Sequence, residues 1–488
     1  MTEPQPRHDA RWGFALCVAL GLAYLATLSP GIRVESDAGE LQFTGYVLGT
    51  AHPTGYPLYT VIAWAFTHAL PLGSVAWRAN LLTALFAALA VGALFAALRQ
   101  LAVPRPAAAA AAAGFGLLPA WWRYAVMAEV YSLHILLMGG IWWALFAWRR
   151  GGRRGWLWAA IALYGLALGH HLLIGLCLPG IAWLVLSQDR RALFQPATLL
   201  WGLAWMGLGL GQYGYLAWRF ADPDAAFAFR DSASPAVLWD YMTGSVFHDY
   251  LGNPDGGLAA RAGAILGRAG GQTAAACLLG LAAPALLRDR GAGGALGLTA
   301  AAHIGFALVY GIEDIEPYLF PAAWVGAVAG GAGLQSLARR LAALPGGALA
   351  TTGLMLVGPV WMASGNGDAA LPVQARADAA WVQRVTDAAG AEAVFVVEDW
   401  EAAVALWAHH YTEGGRERDL WVYPARPVPD QIQRVRAYAA GRGALRVAEQ
   451  RDELPEGLTV YCVGPAWIRA LRDAGPLTPA APGLMRVP

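Results

Sequence analysis

Long apolar runs, separated by short segments that carry the arginines and acids, repeat along the first three quarters of the chain. A helix needs roughly 20 apolar residues to cross a bilayer, and most of these runs approach that length. The pattern predicts about eleven spans, near residues 12–29, 77–98, 106–122, 126–148, 155–169, 171–187, 197–218, 263–287, 292–311, 317–335 and 345–363. The first run follows two arginines and is predicted to be an uncleaved signal anchor.

The composition agrees with a polytopic membrane protein. The chain is 57% hydrophobic and only 14% charged, far from the balance of an average soluble domain. Its formal net charge is +1, and it has no Lys/Arg-rich tract that could follow a phosphate backbone, which argues against nucleic-acid binding. The four cysteines lie far apart, without a CxxC pair or a histidine at metal-ligand spacing, so they are predicted to be small apolar residues.

The positions of the basic residues predict the orientation of the spans. Basic residues in short loops favour the cytoplasmic side, and here they fall in alternate loops along the whole chain. They are Arg7 and Arg11, Arg99 and Arg105, Arg149 to Arg154, Arg190 and Arg191, Arg288 and Arg290, and Arg339 and Arg340. The alternation requires residues 37–72 to form amphipathic juxtamembrane helices along the outer surface instead of crossing. The N-terminus is then cytoplasmic, and a composition typical of GC-rich bacterial genomes favours the inner (plasma) membrane.

The character of the chain changes after about residue 364, where charged and proline-punctuated sequence begins. Three segments there each combine a short β-type run with a following helical pattern. They are "AVFVVEDWEAAVALWAHHY", "DLWVYPARPVPDQIQRVRAYAAG" and "LTVYCVGPAWIRALRDAG". The sequence therefore predicts two domains, a transmembrane domain over residues 1–363 and a small extracytoplasmic α/β domain over residues 364–488.

The stretch "SDAGELQFTGYVLG" places two acids, Asp37 and Glu40, three residues apart just after the first span. On a helix lying at the membrane surface, this spacing would place both carboxylates on one face. A solvated acidic turn, with Asp37 as the N-cap of a helix, explains the same residues about equally well. Spacing alone therefore does not make these carboxylates catalytic.

Further ionisable residues gather on the same predicted outer side. They are Glu129, Tyr131 and His134; His170 and His171; and Glu313, Asp314, Glu316 and Tyr318. Such groups are costly at the edge of a membrane, so a cluster of them favours a functional site. Each also has a simpler explanation, because an edge histidine usually bonds to a carbonyl and the positive-inside bias leaves acids outside by default.

One long block of sequence resembles a known family. "SDAGELQFTGYVLGTAHPTGYPLYTVIAWAFTHALPLGSVAWRANLLTALFAAL" is similar to the signature of the DUF2723 membrane proteins, which include the O-mannosyltransferases related to TMEM260, within the GT-C glycosyltransferases. "AEVYSLH", "GLALGHHLLIGLCLP" and "GIEDIEPYLFPA" resemble later blocks, and the tail carries a fainter likeness. Ser36 departs from the aromatic residue usual before the acid. The resemblance implies a polytopic α-helical GT-C-like fold in the membrane domain.

The resemblance also implies a reaction. GT-C enzymes use a polyprenyl-phosphate-linked sugar and an acid in the first outer loop, where Asp37 stands. Inverting transfer needs a carboxylate that accepts the proton of the acceptor hydroxyl and a group that binds the leaving phosphate. We therefore expect an inverting transferase that moves a hexose such as mannose to a hydroxyl of a protein Ser or Thr or of a glycan. Asp37 is the first candidate for the base and Glu40 the second.

The remaining candidates are predicted to contact the substrate. They are His52, Arg78, Glu129, Tyr131, His134, His170, His171, Tyr213, Arg219, Asp314 and Tyr318. His52 could orient an acid or bind phosphate, although a turn hydrogen bond beside two prolines is an equal alternative. Arg78 could bind phosphate through its guanidinium fork, or instead extend to the lipid headgroups. Tyr213 and Arg219 are candidates for a contact with the lipid phosphate.

Other cofactors and functions stay open at this point. Asp37, Glu129, Asp314 and His170 could bind Mg²⁺ or Mn²⁺, although nothing in their spacing requires a cation. A transporter or lipid flippase is the alternative function, and it predicts ionisable groups in mid-span and repeated broken helices, neither of which the sequence shows. A third hypothesis, a scaffold that binds a partner through its outer domain, leaves eleven spans unexplained.

Overall fold

A computed structural model describes residues 6–230, 232–252, 257–342, 344–364, 370–389, 392–413, 419–424, 428–441, 458–482 and 484–488. The helices up to residue 364 are α1 (Pro6–Ala26), α2 (Ala38–Thr44), α3 (Pro57–Ala69), α4 (Val75–Gln100), α5 (Arg105–Gly116), α6 (Pro119–Ala125), α7 (Tyr131–Gly151), α8 (Arg154–Leu168), α9 (Leu178–Leu193), α10 (Pro196–Gly211), α11 (Gly214–Ala221), α12 (Pro235–Thr243), α13 (Gly257–Leu281), α14 (Ala283–Leu286), α15 (Arg290–Val309), α16 (Phe320–Leu341) and α17 (Gly347–Ser364). Short 3₁₀ turns cover Leu172–Cys177, Ser245–Tyr250 and Glu316–Leu319.

Each of the eleven predicted apolar runs contains a helix in this structure. Within the described residues, six helices are both long enough and apolar enough to cross a membrane: Arg7–Ala26, Val75–Gln100, Tyr131–Gly151, Leu172–Leu193, Arg290–Val309 and Gly347–Ser364. Prolines divide some of the other runs. The run predicted at 106–122, for example, ends as α5 at Gly116, and Pro119 begins the separate helix α6. The chain is therefore a multi-pass helical membrane protein.

Small residues allow the helices to pack closely. At the contact between α13 and α16, a Cβ added to Gly326 would overlap the backbone of Ala276. At the contact between α1 and α4, a Cβ added to Gly92 would overlap the sulfur of Cys17. Close approach of backbones through small residues is the usual way in which membrane helices associate.

The C-terminal part is a small α/β structure. It contains helices α18 (Ala370–Ala389), α19 (Trp400–Thr412), α20 (Pro429–Ala439) and α21 (Pro465–Ala474), and strands β1 (Glu392–Val397), β2 (Asp419–Pro424), β3 (Thr459–Val463), β4 (Thr478–Ala481) and β5 (Leu484–Val487). The strand order is β2-β1-β3-β5-β4, in which β2, β1 and β3 are parallel and the last two pairings are antiparallel. Each of the three predicted β-then-helix segments is confirmed, since β1, β2 and β3 precede α19, α20 and α21.

One end of the helix bundle carries the loops that the sequence placed on a common face, and we call it the site end. Ser29 N donates to Val126 O at 3.0 Å, and Leu58 N donates to Gly169 O at 3.0 Å. Leu251 forms an isolated β-bridge with Tyr310 in the same region. Loops from five parts of the chain therefore meet, and helix α19 of the C-terminal part packs over them.

The position of α2 corrects one expectation. All residues of α2 are buried, so it does not lie along the membrane surface as an amphipathic helix. It packs against α19 so closely that a Cβ at Gly39 would lie 2.8 Å from Ala405 N. Helix α3 is closer to the prediction, because Val61 and Trp64 remain exposed on one side. The first loop is thus enclosed between the helix bundle and the C-terminal part.

Candidate active site

The loop before α2 presents Asp37 from a constrained backbone. Ser36 has a φ of 51°, in the left-handed region that non-glycine residues rarely adopt. Its hydroxyl donates to Asp314 Oδ2 at 2.5 Å, and its backbone N–H donates to Glu401 Oε1 at 2.9 Å. These two bonds, to acceptors in two other parts of the chain, stabilise the turn that precedes Asp37.

Asp37 occupies the N-cap position of α2 without making a side-chain capping bond. Its Oδ1 instead accepts a hydrogen bond from Trp400 Nε1 at 2.9 Å, and its Oδ2 lies 3.7 Å from His52 Nε2. The alternative from the sequence, in which Asp37 serves only as a helix cap, therefore does not describe this side chain. The carboxylate is one-quarter exposed, which leaves it accessible from the site end.

Glu40 and His52 form a pair behind Asp37, in which Glu40 is buried and His52 is partly exposed to the cavity. Glu40 is fully buried, its Oε2 lies 2.6 Å from His52 Nδ1, and its Oε1 accepts a hydrogen bond from His52 N at 2.7 Å. The other ring nitrogen of His52 lies 2.9 Å from the hydroxyl of Tyr56. Glu40 thus fixes both the backbone and the ring of His52, and the HPTGYP turn brings this ring to Asp37.

Two carboxylates determine the charge of His52. Burial alone would lower the pKa of its imidazole, but the nearby Asp37 and Glu40 raise that pKa to about 9. His52 is therefore a cation at neutral pH, bonded to Glu40 and close to Asp37. A buried carboxylate is costly unless it is paired in this way.

A cavity of about 300 Å³ opens beside these residues. Of the residues predicted to form the site, six line it: Asp37, His52, Tyr131, His171, Asp314 and Tyr318. Apolar residues from the 3₁₀ turn Leu172–Cys177, together with Phe247, Leu251 and Phe306, form much of the remaining wall. The cavity therefore combines a few polar groups with an apolar surface, as small-molecule sites commonly do.

Asp314 forms another part of the cavity wall. Its carboxylate accepts hydrogen bonds from the hydroxyls of Ser36 and Tyr124. Burial raises the pKa of Asp314, and these two donors oppose the increase. The guanidinium of Arg123 lies nearby, where it bonds to Glu35 at 2.5 Å and lies 3.5 Å from Glu316. Arg123 thus joins the first loop to the segment that carries Asp314.

Glu129, His134 and His170 lie behind the cavity wall, all at most 1% exposed. Within the described part of the chain, neither carboxylate oxygen of Glu129 and neither ring nitrogen of His134 has a hydrogen-bond partner. His170 Nε2 lies 2.9 Å from Val130 O. Burial lowers the pKa of His170 to about 4 and that of the cavity-lining His171 to about 3, so both are neutral at pH 7.

Three predicted substrate contacts lie away from the cavity lining. Tyr213 donates its hydroxyl to Leu168 O at 3.0 Å, and Arg219 forms an ion pair with Asp222 at 2.5 Å. Arg78 Nη1 donates to Thr67 O at 2.5 Å and to Leu70 O at 2.8 Å, at the C-terminal end of α3. In this structure the guanidinium of Arg78 satisfies the carbonyls that end a helix, which explains its position at the start of α4.

Replacement of Arg78 by methionine is expected to destabilise the chain by about 1–3 kcal/mol because two helix-end carbonyls lose their donor. The Michaelis constant for a phosphate-linked donor should stay unchanged. Unfolding in detergent and steady-state kinetics test both points, with the exposed Arg153→Met as the matched control. A tenfold higher Michaelis constant with unchanged stability would instead support the phosphate contact predicted from the sequence.

One acid–histidine group has the geometry for a metal ion. Among the described residues, Asp37, Glu40 and His52 have ligand atoms within 4.8 Å of one another. The set proposed from the sequence, which combined Asp37 with Glu129, Asp314 and His170, is not brought together as a group. Mg²⁺ or Mn²⁺ would accept the oxygen and imidazole ligands of the observed group. His52 would first have to leave its bonds to Glu40 and Tyr56.

Several residues of the site were not predicted. Tyr56 lies in the HPTGYP motif, and Tyr310 lines the cavity next to the predicted Tyr318. Ser36 stood out only as a departure from the family pattern. Trp400 and Glu401 lie in the "EDWEAAV" stretch, which was noted only as a faint likeness in the tail. Periodicity gave no sign that this stretch would contact the first loop.

The signature block is similar to a recognised family domain. Residues 37–193 match the model of the protein O-mannosyl-transferase TMEM260 N-terminal domain. This confirms the family resemblance for that part of the chain. The match begins at Asp37 and includes Glu40, His52, Tyr131 and His171, which are central to the geometry described above.

Two relatives extend the comparison. The protein O-mannosyl-transferase TMEM260 of Mus musculus is 38% identical over 129 residues, which cover 26% of this chain and 18% of that protein. The protein O-mannosyl-transferase tmem260 of Dictyostelium discoideum is 26% identical over 214 residues, or 41% of this chain and 26% of that protein. The matched part thus spans about a quarter or less of the length of these relatives.

Solved structures show the fold. The crystal structure of ArnT from Cupriavidus metallidurans bound to undecaprenyl phosphate has a TM-score of 0.63 and 14% identity, covering 97% of each chain. The apo structure of the same protein gives a TM-score of 0.61 with 15% identity and the same coverage. The predicted GT-C fold is therefore confirmed over nearly the whole chain.

Proposed function

We propose that this chain is an inverting GT-C glycosyltransferase that moves a hexose such as mannose from a polyprenyl-phosphate carrier to a hydroxyl group. One observation carries the proposal: Asp37, His52 and Asp314 converge on a single cavity that also has a large apolar wall. The names of the relatives favour mannose as the sugar and a protein Ser or Thr as the acceptor, with a glycan hydroxyl as the other option. The undecaprenyl phosphate bound to ArnT favours a polyprenyl carrier.

Asp37 is the proposed base. Its partly exposed carboxylate lines the cavity, whereas Glu40 is fully buried and bonded twice to His52. Asp37 would accept the proton of the acceptor hydroxyl while that oxygen attacks the anomeric carbon. The bond from the anomeric carbon to the phosphate oxygen breaks, and the phosphate leaves with the electron pair. This exchange inverts the anomeric centre and needs no covalent intermediate on the protein.

The leaving phosphate and the sugar need donors, which the cavity supplies mainly as hydroxyl groups. Tyr131, Tyr310 and Tyr318 line it together with Tyr56. The charged ring of His52 adds a positive group at the same wall. These groups can donate to phosphate and sugar oxygens where negative charge develops. Such an arrangement differs from phosphate binding by the guanidinium fork of Arg78 and from the lipid-phosphate contact of Arg219, which the sequence offered as candidates.

The proposal includes an orientation. From the arginine pattern we propose that the N-terminus lies in the cytoplasm and that the site end and residues 364–488 lie on the extracytoplasmic side; the membrane proposed is the inner (plasma) membrane. The transmembrane catalytic domain then covers residues 1–363. An acceptor would approach from the side of the C-terminal domain, while the carrier lipid would approach through the apolar wall of the cavity.

The test is a reaction with defined donors. Purified chain in liposomes is given undecaprenyl-phosphate-mannose, labelled in the sugar, together with Ser/Thr-containing peptides. We expect loss of the donor, free undecaprenyl phosphate and label on a hydroxyl with inverted configuration. The transporter hypothesis predicts that the donor crosses the bilayer uncleaved, which an accessibility assay on the same liposomes detects. If the wild-type chain leaves every phosphate-linked hexose donor in the series uncleaved, the proposal that it is a transferase is contradicted.

A further inference from the structure

The N-terminal end of α19 lies directly on the loop that carries Asp37. Trp400, the first residue of this helix, donates its indole N–H to Asp37 Oδ1 at 2.9 Å, although 363 positions separate the two residues. Glu401, the next residue, accepts the backbone N–H of Ser36 at 2.9 Å. Two consecutive residues of the C-terminal part thus contact two consecutive residues of the first loop.

A second set of contacts fixes the same loop to α18. Arg33 is buried and lies 2.8 Å from Asp378 Oδ2, while the backbone N–H of Val34 donates to the same carboxylate at 3.2 Å. The loop from Arg33 to Asp37 is therefore bonded to the C-terminal part at four points. Its position therefore depends on that part as well as on the helix bundle, to which it is bonded through Ser36 and Glu35.

Helix α19 is itself well anchored. Asp399 caps its N-terminus by accepting from Ala402 N at 3.1 Å, and residues 402–409 are buried. The close contact at Gly39 and the ring contact of Trp407 with Phe43, with centroids 6.4 Å apart, join α19 to α2. A helix packed in this way can present the indole of Trp400 with little freedom.

The bond from Trp400 determines which oxygen of Asp37 is available. With Oδ1 engaged by the indole N–H, Oδ2 is left on the side of His52, at 3.7 Å. A general base works only when its oxygen is aligned with the proton that it accepts, and a free carboxylate would rotate. The Trp400 ring also lies edge-on to the His52 ring, with centroids 6.5 Å apart.

We infer that Trp400 is a positioning residue for the Asp37 carboxylate, with Glu401 fixing the backbone of Ser36 beside it. The C-terminal α/β part then completes the active site and is more than a platform for the acceptor. This inference rests on the proposed role of Asp37 as the base. A purely structural role for Trp400 would depend on its ring and not on its N–H.

The helix offers a matched pair of variants. Trp400→Phe removes the N–H that donates to Asp37 and keeps an aromatic ring. Trp407→Phe makes the same change seven positions later on α19, where the buried indole nitrogen has no partner among the described residues. Both variants lose the same atoms from the same helix. Trp407 is the more deeply buried of the two, so its packing loss should be at least as large as that of Trp400, and only Trp400→Phe removes the bond to Asp37.

Turnover and an indole signal are measured for both variants and for Asp37→Asn. Trp400→Phe should lower kcat about 10-fold or more with little change in the KM for undecaprenyl-phosphate-mannose, while Trp407→Phe stays near wild type. In ¹⁵N-tryptophan-labelled protein, the Trp400 indole resonance, assigned by its loss in Trp400→Phe, should move in Asp37→Asn. The Trp407 resonance should stay in place.

The outcomes separate this inference from the function on which it rests. Equal kcat for the two phenylalanine variants, with Asp37→Asn inactive, would overturn the role of Trp400 and leave the base intact. An unmoved Trp400 resonance in Asp37→Asn would overturn it as well. Full turnover in Asp37→Asn would remove the proposed base, and the positioning role with it.

Discussion

A chain in which Asp37 is replaced by asparagine is expected to transfer sugar about 10²- to 10⁴-fold more slowly than the wild type, the usual contribution of a general base. Asparagine keeps the shape of the side chain and can still accept the indole hydrogen bond of Trp400 through its amide oxygen. It cannot take a proton from the acceptor hydroxyl. The loss should therefore appear in kcat, with the KM for the donor nearly unchanged.

The matched control for this prediction is Asp240→Asn, which neutralises an exposed carboxylate on α12, outside the cavity lining. It should retain wild-type turnover. Size-exclusion profiles and unfolding midpoints of both variants, measured in detergent, establish that each is folded. If folded Asp37→Asn protein turned over at the wild-type rate, the base would have to be a different residue, with Asp314 as the next acid on the cavity wall.

The membrane part of the fold is predictable because its signals are local. Apolar runs of sufficient length and alternating basic loops need no knowledge of tertiary contacts. Helix ends are harder, since a proline such as Pro119 divides a run that hydropathy treats as continuous. The burial of α2 could not be predicted from the sequence for another reason. Helix α19 contributes to its burial, and no residue near α2 in the sequence specifies the position of α19.

The grouping of the candidate residues was predictable to the extent that they lie in one motif. Asp37, Glu40 and His52 all come from the first loop, and the order of that block indicated them together. Arg78 belongs to the same block. Its position at a membrane edge fits a guanidinium that binds phosphate and one that caps a helix equally well. Only the location of the carbonyls of Thr67 and Leu70 distinguishes the two roles.

The contacts made by Trp400 and Glu401 lay beyond sequence reasoning altogether. They join residues more than 360 positions apart, and a tryptophan at the start of a helix is commonly a packing residue. The feature that gives it meaning is the acceptor oxygen of Asp37, which only the folded chain reveals. Sites assembled between a membrane bundle and a distant domain will share this property.

The second large effect concerns stability. Glu40→Gln is expected to destabilise the chain by about 3–5 kcal/mol at pH 7, because it removes the carboxylate bonded to the His52 ring and leaves only Asp37 beside that ring. Glutamine can accept only one of the two hydrogen bonds that Glu40 accepts from His52, and its amide group faces the other donor. The exposed Glu398→Gln is the control and should change stability by about 0.5 kcal/mol or less.

The pH dependence of the stability difference between the wild type and Glu40→Gln identifies the cause of that difference. The pKa of His52 is raised in the folded chain to about 9, above the ordinary value of 6.5, so the ion pair contributes fully below about pH 6.5 and is lost as pH rises through about 9. In Glu40→Gln, only the Asp37 carboxylate remains to oppose the effect of burial on the pKa of His52. Less of this pH-dependent stabilisation is therefore available. The gap between wild-type and variant unfolding midpoints, measured from pH 6 to 10, should therefore narrow toward the alkaline end. A gap that stays constant over this range would mean that Glu40 acts through shape and neutral hydrogen bonds, and that His52 carries no charge beside Asp37.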